Sequence, residues 1–253
     1  MVESVDTSDL KSVDHYGRAS SSLATPTNYL TSTMFTPHDV SLVWRTEEAE
    51  RMIVRTARVS APKNADNMDT GPRLLRYLIK HRHWSPFEMA NMCLEIHTSR
   101  SISPQILRHR SFSFQEFSQR YENTNAIGHP IVPELRAQDY SNRQNSINDL
   151  KERIGQTKLS DFNRRISILF EDAEHLYQEM VSDGVAKECA RAVLPNAPTK
   201  MFMNGTLRSW IHYIDLRTAN GTQKEHKQIA EQCKTIFTEQ FPIIAEAMWN
   251  EMS

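Results

Sequence analysis

Between Arg108 and Tyr121 the chain reads Arg-His-Arg-Ser-Phe-Ser-Phe-Gln-Glu-Phe-Ser-Gln-Arg-Tyr. Four strong donors, Arg108, His109, Arg110 and Arg120, surround serines, a glutamine and one carboxylate, Glu116. A guanidinium is a planar fork of donors that meets phosphate or carboxylate bidentately, and neighbouring hydroxyls can complete a phosphate's shell. With Lys+Arg 30 against Asp+Glu 31, the chain has no general excess of positive charge, so this concentration is local. The plainer reading is a solvated basic loop that pairs with acidic residues elsewhere. Arg191 is harder to read that way, because it interrupts the core-like run Cys189-Ala190-Arg191-Ala192-Val193. A partly buried arginine needs a counter-charge, and a ligand phosphate would supply one.

The order of residues narrows the choice. An RHR triplet, seven intervening residues and Ser118, continuing as Ser118-Gln119-Arg120-Tyr121, resembles the signature of the flavin-dependent thymidylate synthases. Other segments agree, in order, from about Val40 to about Phe237. Upstream are Arg58-Val59-Ser60 and His83-Trp84-Ser85-Pro86-Phe87-Glu88. Downstream are Ala190-Arg191-Ala192-Val193-Leu194-Pro195, Leu207-Arg208-Ser209, Leu216-Arg217, and Gln223 with Glu225.

The resemblance implies an α+β fold, an antiparallel sheet with flanking helices, and a homotetramer with sites shared between subunits. It implies reductive methylation of dUMP to dTMP, with methylenetetrahydrofolate as carbon donor, NADPH as electron source and FAD as carrier. It implies dUMP binding by Gln105, Arg108, Glu116, Phe117, Ser118, Gln119, Arg120, Arg191 and Arg217. FAD binding would fall to Ser60, His83, Ser85, Arg108, His109, Arg110, Glu116, Thr206, Arg208 and His212. Backbone N–H groups near Phe117 and Gln119 are expected to help with the phosphate, and Glu116 to hold neighbouring donors. Arg217 is the expected catalytic residue: carbon 5 of uracil is a poor nucleophile unless negative charge can build on the ring, and a fixed cation stabilises that charge in the transition state. The chain departs from the family pattern at Gln115, Gln119, Met89, Thr206 and Gly221, mostly on the flavin side, and Asn204 is a possible substitute for the asparagine replaced by Thr206.

The elements that must position these groups follow from periodicity. Val40 to Trp44 reads as a strand. Thr46 is expected to cap a helix with Glu47 and Glu48 in its first turn, where they oppose the dipole. Pro72 suits a first helical position, with Leu74, Leu75, Leu78 and Ile79 facing the core. Met92, Leu94 and Ile96 alternate with more polar neighbours, the period of a half-buried strand. A short helix around Pro104, capped by Ser99, Ser101 or Ser103, is expected to lead into an irregular loop carrying the signature. Phe162, Ile166, Leu169, Phe170, Ala173, Leu176, Tyr177 and Met180 mark a long amphipathic helix. Further helices are expected at 185–193, 207–216 and 222–241, and a strand at 199–204. Arg208 and His212 are four apart and share a helix face. Arg217, nine residues from Arg208, lies on the opposite side if that helix is continuous, at about 100° per residue.

At 253 residues the chain is long enough for a substantial core. Residues 1–36, rich in Ser, Thr and Asp, read as a flexible extension, and 37–253 as a single catalytic domain. No apolar run approaches a membrane span and no leader pattern is visible, so the expected location is cytoplasmic. Cys93, Cys189 and Cys233 form no CxxC pair and suggest no metal site; core packing is expected of all three. Two other readings remain open: a single-stranded nucleic-acid-binding module using Phe112, Phe114 and Phe117 as stacking platforms, which a net charge of -1 disfavours, and a flavin- or nucleotide-binding homologue without activity.

Overall fold

The computed structural model describes residues 38–250, so the expected extension at 1–36 lies outside the described residues. In chain order the elements are β1 (Asp39–Arg45), α1 (Ala49–Ala57), α2 (Gly71–Lys80), β2 (Asn91–Ser99), α3 (Ser103–Ile106), β3 (Ser113–Glu116), β4 (Ala137–Gln138), β5 (Ser146–Ile147), α4 (Leu150–Ile154), α5 (Gln156–Ser182), α6 (Lys187–Ala190), β6 (Pro198–Thr206), α7 (Leu207–Thr218), α8 (Lys224–Gln240) and α9 (Pro242–Ala245). The main sheet has the order β1-β2-β6-β3, and every pairing in it is antiparallel. Strands β4 and β5 form a separate two-stranded ribbon.

Register explains which residues make the core. Leu94 stands opposite Met203, and Ile96 opposite Met201; Phe114 and Glu116 of β3 stand opposite the same two methionines. Directly opposed residues point to one face. Met92, Leu94, Ile96, Met201 and Met203 are fully buried there, packed with Trp210, Ile211 and Ile214 of α7 and Ile229, Cys233 and Phe237 of α8. The Trp210 indole donates to the Met92 carbonyl at 2.8 Å, which ties α7 to the sheet. Gly205 is open for a steric reason: a Cβ there would stand 2.4 Å from the Phe112 ring. Its absence lets Phe112 lie against β6 and reach Trp210, with ring centroids 4.8 Å apart.

Several expectations change. Thr46 does not cap α1: Glu48 occupies that position in a left-handed conformation without a side-chain cap. The Thr46 hydroxyl instead accepts from the Asn91 N–H at 2.9 Å, joining the end of β1 to the start of β2. None of the three serines caps α3; Ile102 stands at that position, and Ser99 and Ser101 bond each other. The signature is not all irregular loop, because Ser113–Glu116 adds an edge strand to β6. The expected helix at 185–193 shortens to α6 followed by a 3-10 turn at Arg191–Val193. Cys189 is exposed, whereas Cys93 and Cys233 are buried. Helix α5 forms as expected, but only Tyr177 of its stripe is fully buried, and Leu169 is 60% exposed.

Candidate active site

Two local devices place the functional side chains. The first is the end of α2. The Arg82 N–H donates to the Ile79 carbonyl and the His83 N–H to the Leu78 carbonyl, the paired bonds that close a helix on a left-handed residue. Arg82 takes that conformation, with φ 55°. The turn delivers His83 and Trp84 to the 3-10 turn Ser85–Glu88. His83 packs edge-on to Tyr77 at 6.0 Å. The second device is the Thr206 N-cap of α7, whose hydroxyl accepts from the Ser209 N–H at 3.3 Å and so satisfies one of the helix's free donors. Ser209 in turn donates to the Ser111 carbonyl, fixing the loop after Arg110. Asn204, considered as a substitute for an asparagine at 206, instead has a buried side-chain oxygen without a protein partner.

A cleft of about 410 Å³ opens between these devices, lined by Trp84, Glu88, Ser111, Arg208, Ser209, Ile211, His212 and Asp215. Arg208 pairs with Glu88 across it. Of the expected flavin residues, Arg208 and His212 line this cleft, and Ser85 opens the turn that carries Glu88. Ser60 is exposed on the turn after α1 and does not line it. Beside Ser60, the buried Arg58 guanidinium ties down the following loop by donating to the Asn64 and Asn67 carbonyls and to Thr70.

Helix α7 is continuous through Arg217, so Arg208 and Arg217 occupy opposite faces. On the far face, Arg217 Nε donates to His109 Nε2 at 2.9 Å. That bond puts the proton of the neutral ring on Nδ1. Desolvation, then the charges of Arg217 and His212, push the His109 pKa down to about 4. Tyr213 and His226 lie beneath this pair, and His109 meets Tyr213 edge-on at 4.9 Å. His226 is fully buried with no partner among the described residues at either ring nitrogen, and its pKa falls to about 3, mainly through burial. The flavin set read from the sequence is therefore split within one chain: Arg208 and His212 face the cleft, while His109 sits with Arg217.

Of the expected nucleotide residues, Glu116 lies on β3, Phe117 to Arg120 follow it, and Arg191 stands on the turn after α6. Glu116 is held on the core face of the sheet. Its carboxylate pairs with Arg100 at 3.0 Å, accepts from Thr199 at 2.9 Å and accepts a short bond from Ser103. Arg100 also donates to the Phe117 carbonyl at 2.7 Å. Sequence reading missed Arg100; its signal was an arginine closing a strand of otherwise half-buried character. The Phe117 N–H is not available to a ligand, because it donates to the Lys200 carbonyl at 2.8 Å. Ser118 and Arg120 are exposed. Arg120 pairs with the Glu188 carboxylate at 3.3 Å, and Arg191 donates to the Glu188 carbonyl, so both arginines engage the same residue of α6. Gln119 is buried, with its amide nitrogen lacking a partner among the described residues. Gln105 donates to Gln223 at 2.7 Å. Gly221 has φ 87°, a conformation that favours glycine over a larger residue.

This donor set suits phosphorylated ligands and a flavin dinucleotide. No described residue lies in hydrogen-bonding or salt-bridge reach of the Arg108 or Arg110 side chains, although both are exposed beside the cleft residue Ser111. Among the described residues no group of His, Cys, Asp and Glu could hold a metal ion.

Comparison with known proteins agrees. The sequence profile of the family described as thymidylate synthase complementing protein matches residues 41–243. A probable flavin-dependent thymidylate synthase of Paramecium bursaria Chlorella virus 1 is 49% identical over 201 residues, covering 79% of this chain and 90% of the relative. The flavin-dependent thymidylate synthase of Synechocystis sp. is 46% identical, covering 79% and 89%. Among solved structures, the UMP/dUMP methylase PolB from Streptomyces cacaoi, bound with 5-Br dUMP, is similar with a TM-score of 0.70 and 27% identity, covering 83% of this chain and 93% of that one. These matches establish that the chain belongs to the flavin-dependent thymidylate synthase family.

Proposed function

We propose that this protein methylates dUMP reductively to dTMP, taking the carbon from methylenetetrahydrofolate and the electrons from NADPH by way of FAD. The observation that carries the reading is the Arg217–His109 pair at the start of the signature segment, a fixed cation beside a neutral imidazole. Ser118, Arg120 and Arg191 hold the nucleotide phosphate, which displaces the exposed and weakly bound Glu188 carboxylate from Arg120. Gln105 and the backbone around Gln119 orient the nucleotide. Glu116, tied to Arg100, Ser103 and Thr199, keeps the strand edge in place rather than moving a proton. Arg217 then stands where negative charge builds on the uracil ring, and neutral His109 holds that guanidinium without competing for it.

Arg108, Arg110, Ser85, Arg208 and His212 would hold FAD, with His83 and Thr206 shaping its surroundings. When bound, the flavin supplies hydride chemistry. The buried thiols Cys93 and Cys233 do not suit nucleophilic attack on uracil: burial raises the pKa of both, and a nucleophilic cysteine needs the reverse. The nucleic-acid reading is weaker, since Phe112 is buried against Trp210 and is not a free stacking platform.

The opposed faces of α7 and the exposed Leu169 and Leu176 of the α5 stripe support a homotetramer whose sites draw residues from more than one subunit. No described helix is long and apolar enough to cross a membrane, and a cytoplasmic location remains part of the proposal. The test is a single-turnover assay for dTMP with dUMP, methylenetetrahydrofolate, FAD and NADPH. Product that requires all four supports the reading; a flavin-loaded protein that forms none refutes it.

A further inference from the structure

A second and larger cleft, of about 910 Å³, adjoins the first and shares Trp84 and Asp215 with it. Its wall is basic. Arg73, Arg76 and Lys80 sit at intervals of three and four on α2, which places them along one stripe. Arg82 joins them from the turn that follows. Arg76 is engaged with Glu246, and the Asp215 carboxylate accepts from the Trp249 indole. No described residue lies in hydrogen-bonding or salt-bridge reach of the side chains of Arg73, Lys80 or Arg82. In a chain whose formal net charge is -1, three exposed cations lining one cleft, none paired with a carboxylate among the described residues, concentrate positive charge there. Arg82 strengthens the point. It holds the left-handed position that closes α2, where glycine would carry no steric cost, so its side chain is kept at the cleft against local preference.

We infer that this cleft binds the extended polyanionic tail of a co-substrate, and that the tail is the oligoglutamyl chain of the folate. The inference rests on the methylation reading above for the identity of the co-substrate. The spacing selects the ligand. From Arg73 to Lys80 the helix advances about 10 Å, so the cations form a track rather than a single focus. A row of carboxylates engages such a track along its length, whereas one phosphate would engage one end. Tyr77 and Trp84 in the same wall offer apolar surface to the methylene links of the chain. Continuity through Trp84 lets the head of that molecule lie in the first cleft while its tail follows α2.

The experiment compares tetrahydrofolate monoglutamate with its pentaglutamate, by equilibrium dialysis against the FAD-loaded protein and by KM of the corresponding methylene donors. Wild-type protein should prefer the pentaglutamate by about tenfold, the sum expected of a few exposed ion pairs, and the preference should shrink with added salt. The variant R73Q/K80Q/R82Q should lose the preference and keep its affinity for the monoglutamate and its flavin absorbance. If the triple variant does not fold, Lys80→Gln alone should lose part of it. Equal binding of both tails by wild type, or equal weakening of both in the variant, would overturn the inference. So would a variant that keeps its tail preference but loses discrimination between NADPH and NADH, since that assigns the cleft to a phosphate. Tail preference in dialysis without dTMP formation from any donor would keep the cleft assignment and sink the methylation reading instead.

Discussion

Arg217 and Arg191 carry the same charge, yet their surroundings assign them different tasks. Arg217 is bonded to a neutral histidine at the end of a helix packed on the core, so its guanidinium is aimed before any ligand arrives. Arg191 sits on a short 3-10 turn and donates to the Glu188 backbone carbonyl. Removing a fixed donor that serves the transition state costs on the order of 10²–10³ in turnover. Arg217→Ala should therefore fail even at saturating dUMP while retaining flavin absorbance. Arg191→Ala should mainly raise the KM for dUMP and recover turnover when the nucleotide is in excess. Steady-state kinetics of both variants over a wide dUMP range separates the cases. Normal turnover of Arg217→Ala at saturation would remove that residue from ring activation.

The element that organises the site is β6. Its inward residues fix the sheet's core, its Gly205 admits Phe112, and its last residue, Thr206, caps α7. Phe112 lies inside the signature, between the arginines and the edge strand β3. A methyl group at 205 would drive the Phe112 ring away and overpack the junction, at about 1–3 kcal/mol. Gly205→Ala should lower the denaturation midpoint accordingly and weaken flavin binding, because the loop holding Arg108 to Ser111 moves with Phe112. Urea unfolding with a flavin titration checks both. An unchanged midpoint with full flavin affinity would show that Phe112 has room to yield. Sequence pattern revealed β6 and α7 because alternation and helical spacing are local. It did not reveal β3, whose four residues are paired only by a partner strand more than eighty residues away.

Across the whole molecule, the opposed faces of α7 make a quantitative demand on assembly. Arg208 faces the cleft and Arg217 faces His109, so a chain lacking one can complement a chain lacking the other only if sites are shared. Mixing inactive Arg208→Ala and Arg217→Ala chains should restore activity once mixed oligomers form, measured as dTMP release after subunit exchange. Confirmed mixed oligomers without activity would show that each chain completes its own site. The buried histidines make a second demand. His109 and His226 have pKa values near 4 and 3 in the fold, below the ordinary 6.5, chiefly through burial. Above about pH 6.5 both are neutral folded or unfolded, and their contribution to stability is fully present. As pH falls towards 4 and 3, the unfolded chain takes up protons that the folded chain refuses, and that stability is lost. The groups facing them are Arg217, His212 and Tyr213, of which the first two add positive charge when protonated. Thermal melts should fall from pH 7.5 to pH 5, and His226→Phe, which removes an unpartnered buried polar ring, should flatten that fall. A melt series with the same slope in the variant would exclude His226 as a source.

What the sequence determined by itself was chemistry and local form. The RHR signature with its ordered companions named the family, and the sheet-forming and helical periods placed β1, β2, β6, α2, α5, α7 and α8 within a few residues. These properties depend on neighbours along the chain. Only the tertiary structure decided which groups meet. It joined His109 to Arg217, set Arg100 against Glu116, took the Phe117 N–H for the β3–β6 ladder and lined one cleft with Arg73 and Lys80 of α2 and Arg82 of the turn after it. It also left Leu169 and Leu176 of the α5 stripe exposed and most of the rest half-buried, although that periodicity looks the same in sequence whether the helix faces a core or a second subunit. Such pairings are set by strand register and helix rotation across long stretches of chain, and no short window of sequence carries them.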